Sequence, residues 1–333
     1  MRKVIVGILM AACIVAFVAP FAYGADDVLV IRLGHVIDDK SGLQAGAEKI
    51  AEILAEKSGG KIRLDIFPNS QLGGNREMLE ALQAGALEMQ TPALAFLGGF
   101  NEMTKALDFP YLFKNIEAAE YILDGEIGQQ ILAGLEDEGF IGLGWWTQGW
   151  RHLTTGKKLV RKPEDMKGLK IRVMENELHI AHFQALGASA IPMAYSEVLT
   201  SLQQGVIDAQ ENPYMNIKQA GFHEVQKYVI ETGHIYDPCP VLFSKVLWDG
   251  LSEENQKLIR EAVAEATRFQ RDFTYKFEDE IRKEFSEGDK IEVIILTPEE
   301  RAEFLKAAEP VYKKYAPKFG GLVERILEAQ EKF

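Results

Sequence analysis

The chain reads as an α/β protein in two lobes built on one plan. Three observations predict it: a strand, helix, strand opening; a thirteen-residue block that recurs at an offset of 120; and two long extended stretches that carry the chain between lobes. Parallel strands need helical crossovers, so the opening points to a parallel sheet.

In chain order, the first segment is expected to be an export signal spanning 1–24 and absent from the mature protein. Arg2 and Lys3 form a basic start, Val4 to Val18 an apolar run, and Ala22-Tyr23-Gly24 a small-residue cleavage site. The run is short of the ~20 apolar residues that span a bilayer. VLVIRLGH from Val28 then reads as a strand, SGLQAGAEKIAEILAEKSGG as an amphipathic helix stopped at Gly59-Gly60, and KIRLDIF as a second strand before Pro68.

The repeat follows. EMLEALQAGALEM (77–89) aligns without gaps on EVLTSLQQGVIDA (197–209), sharing Glu77/Glu197, Leu79/Leu199, Leu82/Leu202, Gln83/Gln203 and Gly85/Gly205. Each copy predicts a helix closed by a glycine in the left-handed conformation, then a short strand. Each also follows a strand that ends in proline, at Pro68 and Pro192. FIGLGWWTQGWRHLTT (140–155) and KYVIETGHIYDPCPVLFSKVLW (227–248) are the two crossing stretches, each read as a pair of extended runs. A helix from Ser252 to about Glu287, a strand KIEVIIL and helices from Pro298 complete the chain. Crossings at Gly149 and Pro238, with a third boundary inside the long helix, put 25–148 and 238–277 in lobe I, and 149–237 and 278–333 in lobe II.

Composition narrows the function. Loss of Arg2 and Lys3 takes the formal charge from −13 to −15, which disfavours nucleic acid and anionic lipid as partners. Beyond the signal the only cysteine is Cys239, so no disulfide closes within the chain and a large apolar core carries the stability. There is no GxSxG, HExxH, phosphate loop or complete dinucleotide fingerprint, and no catalytic residue or cofactor is expected. His179 and His182, three apart on a predicted helix, lack a nearby third ligand, so no metal site is expected.

The stretch Gly168 to Pro213 carries the candidate chemistry. Arg172 and Asn212 lie at the edges of predicted strands, and Arg151 follows the tryptophan-rich segment. On pattern alone a solvated strand face accounts for Arg172 equally well, cation stacking on Trp150 for Arg151, a turn for Asn212, and core packing for Tyr195.

PNSQLGGNREMLEALQAGALEM, DMKGLKIRV, GASAIPMAYSEVLTSLQQGVIDAQENP and FHEVQKYV together resemble the DctP-type solute-binding proteins of tripartite ATP-independent periplasmic (TRAP) transporters, over nearly all of the mature chain. The resemblance implies a Venus-flytrap fold with hinge strands and a long helix bridging the lobes. It also implies a periplasmic location, a small carboxylate ligand, and partnership with one small and one large integral membrane subunit, with the binding protein itself expected as a monomer. Carried over residue by residue, Arg172 grips the carboxylate, Asn212 adds a hydrogen bond, Arg151 supplies a second cation and Tyr195 packs on the ligand. His35, Gln90, Trp146, Tyr214 and Tyr236 are further pocket positions. A sugar acid or other monocarboxylate fits this set, with a dicarboxylate (drawing on Lys40 or Arg76) or an aromatic acid as alternatives. A sensor domain, or a secreted enzyme using His35 or His234 as acid or base, are the competing functions.

Overall fold

The chain is described here by a computed structural model covering residues 28–333; the expected signal segment lies outside the described residues. Among the described residues, nine strands form one mixed sheet: β1 (Leu29–Gly34), β2 (Ile62–Phe67), β3 (Met89–Gln90), β4 (Phe140–Thr155), β5 (Lys170–Val173), β6 (Ser189–Pro192), β7 (Ala209–Asn212), β8 (Tyr228–Ser244) and β9 (Glu292–Ile294). Their order is β2-β1-β3-β8-β4-β7-β5-β6, with β9 beside β8.

That order is a mirror about its centre. β1 pairs in parallel with β2 and β3, and β5 in parallel with β6 and β7. β3 then meets β8, and β7 meets β4, both antiparallel. The sequence repeat accounts for the symmetry. Helix Asn75–Gln83 leads to β3 and helix Val198–Gln203 to β7, and the two closing glycines have φ of +71° and +70°. At those dihedrals a Cβ is strained, which is why both copies keep glycine.

β4 and β8 are single long strands paired along their length, where the sequence suggested two runs each. β8 touches β3 only at Leu242 and Phe243, and β9 only from Tyr228 to Ile230. Between those ends the described sheet narrows to a two-stranded neck. Pro238 and Pro240, which cannot donate to a ladder, fall within it.

Helix Glu253–Glu287, capped by Ser252 as its sequence suggested, is about 52 Å long at 1.5 Å per residue. Ile259, Val263 and Ala266 near its start join the core of β1 to β3, while Ile281 and Phe285 near its end join a core with Val198, Tyr214 and Val229. It therefore spans both lobes. The C-terminal helices divide differently from the expected boundary at 278–333. Phe304 packs with Ile171 and Phe183 of lobe II, but Val311, Tyr315, Leu322, Val323 and Ile326 pack in the lobe I core. Amphipathic spacing shows that a helix buries one face, not which core receives it.

Candidate functional site

In both halves the parallel strands end toward the space between the lobes, where ligands of open α/β sheets bind. β1 delivers His35, β3 delivers Gln90, β5 delivers Arg172 and β7 delivers Asn212; all four are at least 98 % buried. The lobes touch around this space. The Gly42 N–H lies 3.2 Å from Met215 Sδ, Asn176 Nδ2 donates to Asp108 Oδ2 at 2.9 Å, Lys105 pairs with Glu177 at 2.7 Å and Arg76 with Glu175 at 3.1 Å.

Arg172 directs both Nε (2.9 Å) and Nη2 (2.8 Å) to the Met193 carbonyl. Among the described residues it forms no ion pair, so the cation is buried against a neutral acceptor. Burial, then the nearby charge of Arg151, lowers its pKa to about 10. Tyr195 stands close by. Its ring is half-buried against core residues of both lobes, its hydroxyl donates to the Asn216 carbonyl at 3.4 Å, and burial raises its pKa.

Arg151 departs from the expected role of second ligand cation. Nε and Nη2 clamp the Glu211 carboxylate at 2.5 and 2.8 Å, and Nη2 also reaches the Glu211 carbonyl and Asn212 Oδ1. Nη1 donates to Asp237 Oδ2 at 2.6 Å. With the fork occupied by protein carboxylates, Arg151 cannot grip a ligand carboxylate in bidentate fashion; it orients Asn212 instead. Burial works against its charge, but Glu211 and Asp237 outweigh burial and hold the pKa above its ordinary value. Asp237 is pushed upward, chiefly by its own burial.

A bulge explains how Arg151 reaches this network. On β4, Trp146 and Gln148 share the face of Cys239 and Asp237, and simple alternation would put residue 151 on the other face. The register shifts between Thr147 and Trp150, where Gly149 has φ +93°, and the extra residue turns Arg151 back toward Asp237. Trp150 is turned the other way, 5.3 Å from the Tyr236 ring.

Two expected pocket residues are engaged elsewhere, Tyr236 by the same strand alternation and Tyr214 from the start of helix Tyr214–Gln219. The Tyr236 hydroxyl bonds Tyr275 at 2.7 Å on the face opposite Asp237. Tyr214 sends its hydroxyl to Glu231 at 2.7 Å and packs its ring on His152, 5.0 Å away. Lys40 is exposed, and Arg76 is engaged with Glu175. His179 lies 3.6 Å from Asp108, His182 stacks on His234, and His234 Nε2–H donates to Glu211 Oε2 at 3.0 Å. Sequence reasoning missed Glu211, Asp237, Gln148 and Asn216, which join Arg151 and Asn212 in one network: Gln148 Nε2 reaches Asp237 at 3.4 Å, and Asn216 donates to Gln148 Oε1 at 2.9 Å and to Asn212 Oδ1 at 3.4 Å. The only signal for Glu211 was its place in QENP.

Residues 33–318 match the family described as bacterial extracellular solute-binding protein, family 7 (DctP). The 2,3-diketo-L-gulonate-binding periplasmic protein YiaO of Escherichia coli is 32% identical over 96% of this chain and 98% of its own length. Among solved structures, the sugar acid binding protein DctPAm of Advenella mimigardefordensis in complex with galactonate superposes with a TM-score of 0.89 at 31% identity, covering 92% of this chain and 99% of that one. A TRAP periplasmic solute binding protein of Shewanella oneidensis with bound succinate gives 0.88 at 28% identity, covering 91% and 100%.

Proposed function

The chain belongs to the family 7 bacterial extracellular solute-binding proteins, and from that premise we propose that it captures a small organic acid by its carboxylate and delivers it to the membrane subunits of a TRAP transporter. Arg172 carries the reading. A guanidinium buried to 1 % exposure, held in place through one edge by a neutral carbonyl, is a binding group for an anion brought from outside. Its planar fork meets carboxylate geometry, and one charge-assisted bond of this kind contributes about 1.5–3 kcal/mol. A micromolar ligand needs roughly 8 kcal/mol, so the remainder comes from Asn212, the Tyr195 ring and lobe I.

With Arg151 committed to Glu211 and Asp237, Arg172 is the one buried cation of the site without a carboxylate partner among the described residues, which favours a monocarboxylate over a dicarboxylate. The sugar acids that YiaO and DctPAm take by name support the same class, while the succinate of the Shewanella protein represents the alternative. Native mass spectrometry of the purified protein, followed by thermal shift against an organic-acid panel, tests the reading, since a ligand of the folded state raises its apparent stability. An organic acid should be retained or should raise the melting temperature; failure of every acid to do so would overturn the receptor role.

A further inference from the structure

Resting on the carboxylate reading above, we infer that the ligand's remaining part is a hydroxylated carbon chain, recognised by His35, Gln90, Thr91 and Trp146. Each of these residues is at least 99 % buried, and each has a polar side-chain atom without a hydrogen-bond partner among the described residues: His35 Nδ1, Gln90 Oε1, Thr91 Oγ1 and Trp146 Nε1. Buried polar groups are nearly always paired, so four orphans in one region are groups poised for a partner.

They do share one region. Gln90 faces Gly34 across the β1–β3 ladder and the Thr91 N–H bonds the Gly34 carbonyl, so the backbones of Gln90 and Thr91 adjoin that of His35 at the cleft-facing ends of β1 and β3. His35 bonds Gln44 on helix Gly42–Lys57, and the Trp146 indole packs against the same helix at Gly46, where an added Cβ would sit 2.7 Å from the ring.

The hydrogen-bond chains fix what each orphan offers. Gln90 Nε2 donates to the Asn75 carbonyl at 3.1 Å, which pins the amide with Oε1 as an acceptor. Gln44 Nε2 donates to Glu48, so its Oε1 accepts from His35 Nε2–H at 3.0 Å; burial keeps the imidazole neutral, and Nδ1 is then an acceptor. Trp146 Nε1–H is a donor only, and Thr91 can do either.

Two acceptors exclude a partner that only accepts. A second ionised carboxylate, a ketone or an ether leaves Gln90 Oε1 and His35 Nδ1 unpaired, an alkyl or aryl group leaves all four unpaired, and an ammonium cannot receive the Trp146 proton. Hydroxyl groups, which donate and accept, satisfy the whole set.

The test is calorimetry against matched acids of four to six carbons: D-erythronate and D-gluconate, butanoate and hexanoate, succinate and adipate, with benzoate as the aromatic member. The hydroxylated acids should bind at least tenfold more tightly than the others, in keeping with the strong rejection of hydroxyl-lacking analogues by sites built to bond a hydroxyl. Thr91→Val deletes an unpaired buried hydroxyl, so it should leave the melting temperature of the unliganded protein unchanged or raised while weakening the hydroxylated acids about tenfold and the plain acids by less than twofold. Trp146→Phe should weaken the hydroxylated acids over the plain acids in the same proportion, with a lower melting temperature from the space the smaller ring leaves in the core. Diacids, alkyl acids or benzoate binding as tightly as the hydroxylated acids would overturn this inference and leave the receptor role intact. Binding of no acid of any class would overturn both.

Discussion

Arg151 and Glu211 form a buried, two-pronged ion pair, Nε to Oε2 at 2.5 Å and Nη2 to Oε1 at 2.8 Å, with both side chains at most 1 % exposed. Asp237 closes the other side of the guanidinium, so two strands of the neck and β7 are tied through one cation. Removing one member of such a group leaves charge stranded in the interior, at a typical cost of about 3–5 kcal/mol. Arg151→Met should therefore lower the unfolding free energy by roughly that amount in urea titrations. Its ligand affinity should fall as well, through displacement of Asn212. An unchanged unfolding midpoint would show that the pair is not a structural tie.

Arg172 predicts the opposite division between stability and affinity. It holds no carboxylate among the described residues, and its protein contacts are the two bonds to the Met193 carbonyl. Arg172→Lys keeps a charge but loses the planar fork, so ligand affinity should drop more than tenfold, about 1.4 kcal/mol or more, with little change in unliganded stability. Calorimetry beside thermal unfolding separates the two effects, and an unaltered dissociation constant would remove Arg172 from the site.

Glu278 gives a pH prediction. From the long helix it accepts the backbone N–H groups of Tyr214 (2.9 Å) and Met215 (2.6 Å), just after Asn212. Burial, only partly opposed by those two bonds, pushes its pKa up to about 8 from an ordinary value of 4.5. Between those values the folded protein binds a proton that the unfolded chain has lost, so this group's contribution to stability is present at low pH and declines as pH rises toward 8. Glu278→Gln should flatten that part of the stability profile relative to the parent when urea midpoints are compared from pH 5 to pH 9. Parallel profiles for the two proteins would place the titration elsewhere.

The contrast between Arg172 and Arg151 shows what a sequence of this kind discloses. The common plan of the two lobes was legible because the repeat at 77–89 and 197–209 carries its own stop signals, Gly85 and Gly205, whose conformation is local; the mirrored strand order, set by pairings between distant segments, was not. The long helix was legible from Ser252 and its apolar spacing. Arg151 was not, because its partners Glu211 and Asp237 are 60 and 86 residues away, and because one extra residue in β4 decides which face the side chain occupies. Strand alternation likewise turned Tyr236 away from the cleft. The orphaned atoms of Thr91 and Trp146 are visible only once distant strands have excluded every other partner.

Gly149 is where the neck stores a conformation that other residues adopt only under strain. Its φ of +93° accompanies the bulge that aims Arg151, and an added Cβ would lie 3.3 Å from Glu278 Cγ and 3.4 Å from Cδ. Backbone strain of this kind costs of the order of 1–3 kcal/mol, so Gly149→Ala should be destabilised by about that much. The effect should extend to closure, because the neck is where the two lobes are joined and any rotation between them must be absorbed. In small-angle scattering, saturating ligand should contract the parent protein; Gly149→Ala should contract less at saturation, since a Cβ pressed between β4 and the long helix restricts rearrangement at the bulge. Identical profiles of the parent with and without ligand would argue against lobe closure. Full contraction of Gly149→Ala would instead locate the flexing elsewhere along β4 and β8.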